Sequence, residues 1–270
     1  MFAPDVDGRA AAAGPSSGPA GPSSGPAGPP LRLDRLTKQF PGRRALDDLS
    51  LAVDAGEIYA LIGPNGSGKT TTVKLTTGLY RPTSGRVLVR GIDAHAEPER
   101  AKRLIGYVPD EPFAYDRMSG REFLHLIGEL WGVPRAERTC RIDALAGHFR
   151  IGELLDGDVE HYSRGTRQKL ALCAAMLHAP VLLVIDEPIV GLDPESAIRT
   201  RELLRDFAAR GGAVLLCTHT LAFAEAVCHR VGMLRSGTLV VEGDLPTLRG
   251  KAEHGGASLE DLYLEFAGTP

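Results

Sequence analysis

The octet GPNGSGKT, Gly63 to Thr70, places three glycines around a Pro, an Asn and a Ser and ends on a Lys–Thr pair. It fits G-x-x-x-x-G-K-[ST], and each residue type has a chemical reason to be there. Glycines let the backbone curl until successive N–H groups face one anion, a lysine adds a positive point charge, and a Thr hydroxyl offers a hard oxygen to a metal. Gly63, Pro64, Asn65, Gly66, Ser67, Gly68, Lys69, Thr70 and Thr71 are therefore read as a phosphate cradle, with Thr70 also a metal ligand. A helix beginning at Lys69 aims the positive end of its dipole at the same anion.

A second element supplies the opposite charge. The stretch VLLVIDEP ends an apolar run on Asp186 and Glu187. Beside a phosphate cradle, the first carboxylate is placed to hold Mg²⁺ and the second to accept a proton from an attacking water. Together the two motifs describe a P-loop protein that uses ATP or GTP.

Positioning these groups requires a sheet. Ile58 to Ile62 form a short apolar run of the kind buried in a parallel sheet, directly before the glycine loop. VLLVI and AVLLC are further such runs, separated by a helix from about Glu195 to Arg210 in a βαβ pattern. Ahead of them, LRLDRLTKQF and LDDLSLAV alternate apolar and polar residues, which predicts an antiparallel start. From about 115 to 180 the periodicity is helical. Phe123, Leu126, Ile127 and Leu130 share one stripe, and Leu170, Cys173, Ala174 and Leu177 share another that Pro180 ends. The expected fold is α/β: a P-loop NTPase core with a parallel sheet, an N-terminal antiparallel β-subdomain and an inserted helical subdomain over 31–270.

The order of these parts resembles the ATP-binding cassette (ABC) family, the ATPase subunits of ABC transporters, from Leu31 to about Gly243. In YSRGTRQKL, which resembles the family's signature loop, Ser163 stands to cap a helix and Gly165 keeps the anion-binding backbone, while Arg164 and Thr166 depart from the usual glycine and glutamine. The departing Arg164 is read as a surface residue turned from the phosphate. The resemblance further implies that Phe40 stacks on adenine, that His219 of CTHT contacts the γ-phosphate, and that Asp193 of GLDP lies in a loop crossing to a partner subunit. In IGYVPDEP, Asp110 takes the place of the usual glutamine and is expected to sense the metal with an anionic oxygen on a shorter side chain. The implied protein binds ATP with Mg²⁺ and hydrolyses it through Glu187 and His219. It pairs with a second ABC ATPase subunit so that each signature loop meets the other's ATP.

Transport would then require separate membrane-spanning permease subunits. The longest apolar stretch, Leu170 to Ile185, is broken by His178 and Pro180, short of the roughly 18 residues a span needs. The expected place is the cytoplasmic face of the cell membrane, held through the permease, and the tail SLEDLYLEF with the signature resembles export-type cassettes. A soluble ABC ATPase acting on ribosome or DNA is the alternative, against which count the single cassette and the absence of a heptad run. A net charge of −3 and a pI near 6.3 also give nucleic acid no basic footprint. Cys140, Cys173, Cys217 and Cys228 form no CxxC pair and are read as reduced thiols. GPSSGPA occurs twice in tandem between Gly14 and Ala27, and 1–30 is expected to be a disordered tail.

Overall fold

A computed structural model describes residues 28–251 and 258–267. The expected tail over 1–30 lies outside the described residues except for its last three. The chain opens on β1 (Leu31–Phe40) and β2 (Arg43–Val53), an antiparallel hairpin, then crosses through β3 (Ile58–Ile62) to α1 (Lys69–Thr76) and returns to the first sheet with β4 (Ser84–Val89) and β5 (Ile92–Asp93). After α2 (Pro98–Lys102) and β6 (Ile105–Val108) come three helices: α3 (Gly120–Leu130), α4 (Arg135–Phe149) and α5 (Arg164–Met176). The sheet resumes with β7 (Leu182–Asp186), α6 (Pro194–Ala209), β8 (Ala213–Thr218), α7 (Leu221–Val227) and the hairpin β9 (Arg230–Arg235) and β10 (Thr238–Asp244). Helices α8 (Leu245–Lys251) and α9 (Leu259–Ala267) follow.

Two sheets result. The four-stranded one runs β2-β1-β4-β5, all antiparallel; the six-stranded one runs β10-β9-β3-β8-β7-β6, with β9, β3, β8, β7 and β6 parallel and β10 antiparallel at the edge. Strands β3, β7 and β8 are apolar at nearly every position because both faces of this sheet are covered. The side-chain period of two then divides each strand between two cores. Tyr59, Leu61, Leu182, Val184 and Leu215 pack with the antiparallel sheet and α1, whereas Ile58, Ala60, Leu183, Ile185 and Leu216 pack with the helices.

Register carries this arrangement to the site. Ile62 pairs with Thr218 and Asp186 with Cys217, so the carboxyl ends of β3, β8 and β7 stop at one level. Ligands of open α/β sheets bind at that edge. The α3 stripe is divided rather than uniformly buried. Phe123 and Leu124 enter the core, but Leu130 is 73% exposed and Ile127 borders a surface groove. Gly128 explains the offset: a Cβ there would lie 2.5 Å from Cδ of Arg138, so α4 covers the Phe123–Leu124–Gly128 face instead.

Candidate functional site

A cavity of about 510 Å³ lies at the carboxyl edge of the parallel sheet. Phe40, Asn65, Gly66, Gly68, Lys69, Thr70, Thr71, Asp110, Asp186, Glu187 and His219 all border it. Residues separated by up to 179 positions in sequence thus meet at one opening, since Phe40 and His219 both belong to it.

The glycine loop is shaped by close approach. Gly68, the residue before α1, has φ 118°, and a Cβ on it would lie 2.7 Å from the Ala45 carbonyl oxygen, so no L side chain fits. Lys69 Nζ donates to the carbonyls of Gly63 (2.7 Å) and Pro64 (3.1 Å), holding the ammonium across the mouth of the loop. Ser67 is 2% exposed, and its Oγ is buried without a hydrogen-bond partner. An unpaired buried hydroxyl costs about 1–3 kcal/mol. A phosphate oxygen at this loop would supply the acceptor that Ser67 lacks, so the loop's own polar accounting fits a polyphosphate.

Carboxylates occupy the facing wall. Asp186 is buried, and burial pushes its carboxyl up to about 6; the Thr70 hydroxyl opposes the shift by hydrogen bonding, and the charges of Glu187 and Asp110 reinforce it. Three carboxylates and the Thr70 hydroxyl sharing one cavity form an all-oxygen donor set suited to a hard divalent cation. Thr70, Asp110 and Asp186, the three expected ligands, all line this cavity.

Glu187 has φ 56°, in the left-handed region that a glutamate rarely adopts. Its amide donates to the Cys217 carbonyl (2.8 Å), which ties this turn to the end of β8. The carboxylate accepts from the Thr218 hydroxyl (2.9 Å) and the His219 amide (3.1 Å), and its Oε1 lies 2.7 Å from Nδ1 of the His219 ring. The ring is therefore aligned by Glu187, leaving Nε2 directed elsewhere. Local strain of this kind persists only where surrounding bonds over-determine it, and here they hold the Glu187 carboxylate at the cavity.

Phe40 is half-buried with its ring edge-on to Tyr80 at 5.6 Å between centroids, and Lys38 Nζ lies 5.0 Å from its centre. One residue that the motifs did not single out joins it. Arg43 faces Phe40 across the two-residue turn of the β1–β2 hairpin and donates to the Gly66 carbonyl. The hairpin register in FPGRRA is the signal that could have found it.

Ser163 and Gly165 are not brought into this chain's own cavity. Ser163 caps α5, its Oγ accepting from the Thr166 amide (3.1 Å) and meeting the Thr166 hydroxyl at 2.9 Å. Thr166 is thus an internal cap partner, 8% exposed, where the family pattern has a glutamine. Gly165 packs on the GLDP turn, where a Cβ would lie 2.5 Å from the Gly191 carbonyl oxygen. Arg164 is exposed as expected, yet it borders the nucleotide cavity instead of turning from it. Gln168, fully buried, reaches toward the carbonyls of Glu187 and Pro188 at 3.4 Å and joins α5 to the turn that carries Glu187. Asp193 caps α6 through the Ser196 amide (2.9 Å) and hydroxyl (2.7 Å) and stands outside the cavity.

Fold and site together define a P-loop nucleoside triphosphatase with a helical insertion between β6 and β7. The ABC transporter family model matches residues 46–190. NatA of Bacillus subtilis, an ABC transporter ATP-binding protein, is 34% identical over 206 residues, covering 76% of this chain and 84% of its own. EcsA of the same organism, an ABC-type transporter ATP-binding protein, is 32% identical over 87% of this chain and 96% of its own. The daunorubicin resistance ATP-binding protein DrrA3 of Streptomyces coeruleorubidus is 33% identical over 88% and 74%. Among solved structures, an ATP-binding subunit of an ABC transporter superposes with a TM-score of 0.84 at 35% identity, covering 88% of this chain and 99% of that one. The dimeric cassette MJ0796 bound to ADP and Pi shares the fold, with a TM-score of 0.73 at 23% identity over 80% and 98%. The chain belongs to the ABC transporter family as an ATP-binding, ATP-hydrolysing subunit.

Proposed function

We propose that this subunit binds Mg²⁺·ATP, closes head to tail on a second ABC subunit and drives export through separately encoded permease subunits at the cytoplasmic face of the membrane. Thr70, Asp110 and Asp186 would hold the metal, which supplies charge neutralisation at the β- and γ-phosphates. Glu187 takes the proton of the attacking water, with its carboxylate held in place by Thr218 and His219. Phe40 and Arg43 receive the base-and-ribose end. Ser163 and Gly165, exposed or packed outside the chain's own cavity, are free to serve the nucleotide of the second subunit. The relatives named for daunorubicin resistance support export.

A surface groove carries the membrane half of this reading. It opens between the sheet and the helical insertion, holds about 360 Å³, and is lined by Leu79, Tyr107, Phe113, Ile127, Trp131 and His178. Leu79 and Phe113 are 57% and 71% exposed, and Trp131 stacks on His178 at 4.4 Å. Large apolar side chains clustered in the open mark a partner surface. No described helix is long and apolar enough to cross a membrane. An apolar segment of the permease is the proposed occupant. Co-expression with a candidate permease subunit should yield a co-purifying complex, and Phe113→Asp should abolish it while leaving ATP affinity within about twofold. Retention of the complex by that variant would count against the groove.

The metal reading has a pH signature. An Asp186 carboxyl raised to about 6 is protonated more readily in the folded than in the unfolded chain. A metal must displace that proton. Mg²⁺ affinity of the ATP-loaded subunit should therefore be flat above about pH 7 and fall toward tenfold per unit below about pH 6. For folding the sign is also set: the metal-free chain loses stability as pH rises through about 6, because the buried charge must then be carried. Calorimetric Mg²⁺ titrations at pH 5, 6, 7 and 8 on wild type and Asp186→Asn test it, because the γ-phosphate titrates in the same range; an identical pH slope in the two would remove Asp186 from the ligand set.

A further inference from the structure

Arg164 and Asp110 are separate departures from the family pattern, 54 positions apart, and the fold brings them together. Arg164 is the first residue of α5, and its stem crosses Gly191 so closely that a Cβ there would lie 3.1 Å from its Cγ and Cδ. The guanidinium then reaches Asp110, which follows β6 by two residues, with Nη2 at 3.4 Å from Oδ1. Both side chains border the nucleotide cavity, and both are about half exposed, at 55% and 50%. A pair this open and this long does not brace a fold; exposed ion pairs shift an equilibrium by at most about fivefold. It is suited to being broken.

The chemistry says by what. An aspartate in a phosphate-binding cavity repels the phosphates unless a cation covers it. Lys69 already serves the carbonyls of Gly63 and Pro64, and Arg43 that of Gly66, which leaves Arg164 as the cation on Asp110. A divalent metal competes for the same carboxylate oxygens. The geometry points to an intrachain latch in which Arg164, a positioning residue, holds Asp110 as its counter-ion until a divalent metal takes the carboxylate and releases the guanidinium. Each departure then compensates the other: the anion that replaces a neutral side chain is covered by the cation that replaces a glycine. Release of the Arg164 guanidinium coincides with arrival of metal, so the cation beside Ser163 and Gly165 is uncovered only when the cavity of its own chain is charged.

This inference rests on the nucleotide reading of the cavity, and the two fail differently. ATP affinity is measured by equilibrium binding in EDTA and in Mg²⁺, and the ratio of the two dissociation constants is the readout. Removing Arg164 exposes Asp110 to metal-free ATP but matters little once metal occupies it, so Arg164→Ala should raise the ratio about two- to fivefold. Arg164→Lys, which keeps the charge, should restore the wild-type ratio. In an Asp110→Asn background Arg164→Ala should change nothing, because there is no anion left to cover. A ratio unmoved by Arg164→Ala, not restored by Arg164→Lys, or raised equally in the Asp110→Asn background overturns the latch alone. A wild-type chain that bound ATP in neither condition would overturn the nucleotide reading and the latch with it.

Discussion

Glu187→Gln is expected to bind ATP with near wild-type affinity and to hydrolyse it roughly 10²- to 10⁴-fold more slowly, the usual contribution of a general base. The substitution keeps the shape: the glutamine oxygen can take the Oε1 place and accept from the His219 amide at 3.1 Å, while its NH2 in the Oε2 place donates to the Thr218 hydroxyl oxygen 2.9 Å away. The left-handed turn at φ 56° therefore stays bonded on both sides, with the Thr218 bond reversed, and the main loss is the charge that takes a proton. Phosphate release under saturating ATP reads the first quantity and equilibrium nucleotide binding the second. Turnover within about threefold of wild type would move the base elsewhere in the cavity. A parallel His219→Ala variant separates the two members of the pair: the ring contact at 2.7 Å makes His219 an aligner of Glu187, so its loss should be the smaller of the two.

Lys69→Ala acts earlier, at binding. The ammonium is buried, and removing a charge-assisted bond of this kind costs about 1.5–3 kcal/mol, or roughly 10- to 150-fold in ATP affinity. A second loss adds to it, because the same Nζ ties together the Gly63 and Pro64 carbonyls at the mouth of the loop. Lys69→Arg distinguishes the two contributions. It keeps the charge but replaces a compact donor by a planar fork too large for the buried position, so part of the affinity should return without wild-type turnover. Isothermal titration with ATP gives the affinities directly. Unaltered ATP affinity in Lys69→Ala would contradict the phosphate cradle itself.

Much of this site was legible before any fold was known, and for a uniform reason. GPNGSGKT and VLLVIDEP are short, and their chemistry is local: backbone N–H groups, one ammonium and two carboxylates act within a few residues of the strands that end on them. The strands themselves could be read because a sheet covered on both faces needs unbroken apolar runs, as in Ile58–Ile62 and Leu182–Asp186. The helical stripe at Leu170, Cys173, Ala174 and Leu177 was legible likewise, three of the four being buried and Ala174 bordering the surface groove. The stripe at Phe123, Leu126, Ile127 and Leu130 misled in part. Periodicity reports which residues share a face of a helix but not what covers that face, and here α4 approaches at Gly128 while Leu130 stays in the open.

What the amino-acid sequence alone determined was the nucleotide chemistry of this protein, the order of its elements and its likeness to ABC ATPases. These follow from local conformation and from apolar period, both properties of neighbouring residues. Only the tertiary structure decided which distant groups meet: Arg43 on Gly66 through a hairpin register, His219 on Glu187 through adjacent strand ends, and Arg164 on Asp110 through the packing of α5 over Gly191. A side chain's charge is written in its own codon position, but the distance at which two charges act depends on every element folded between them. For that reason the two substitutions that looked independent along the chain became, in the folded molecule, one pair.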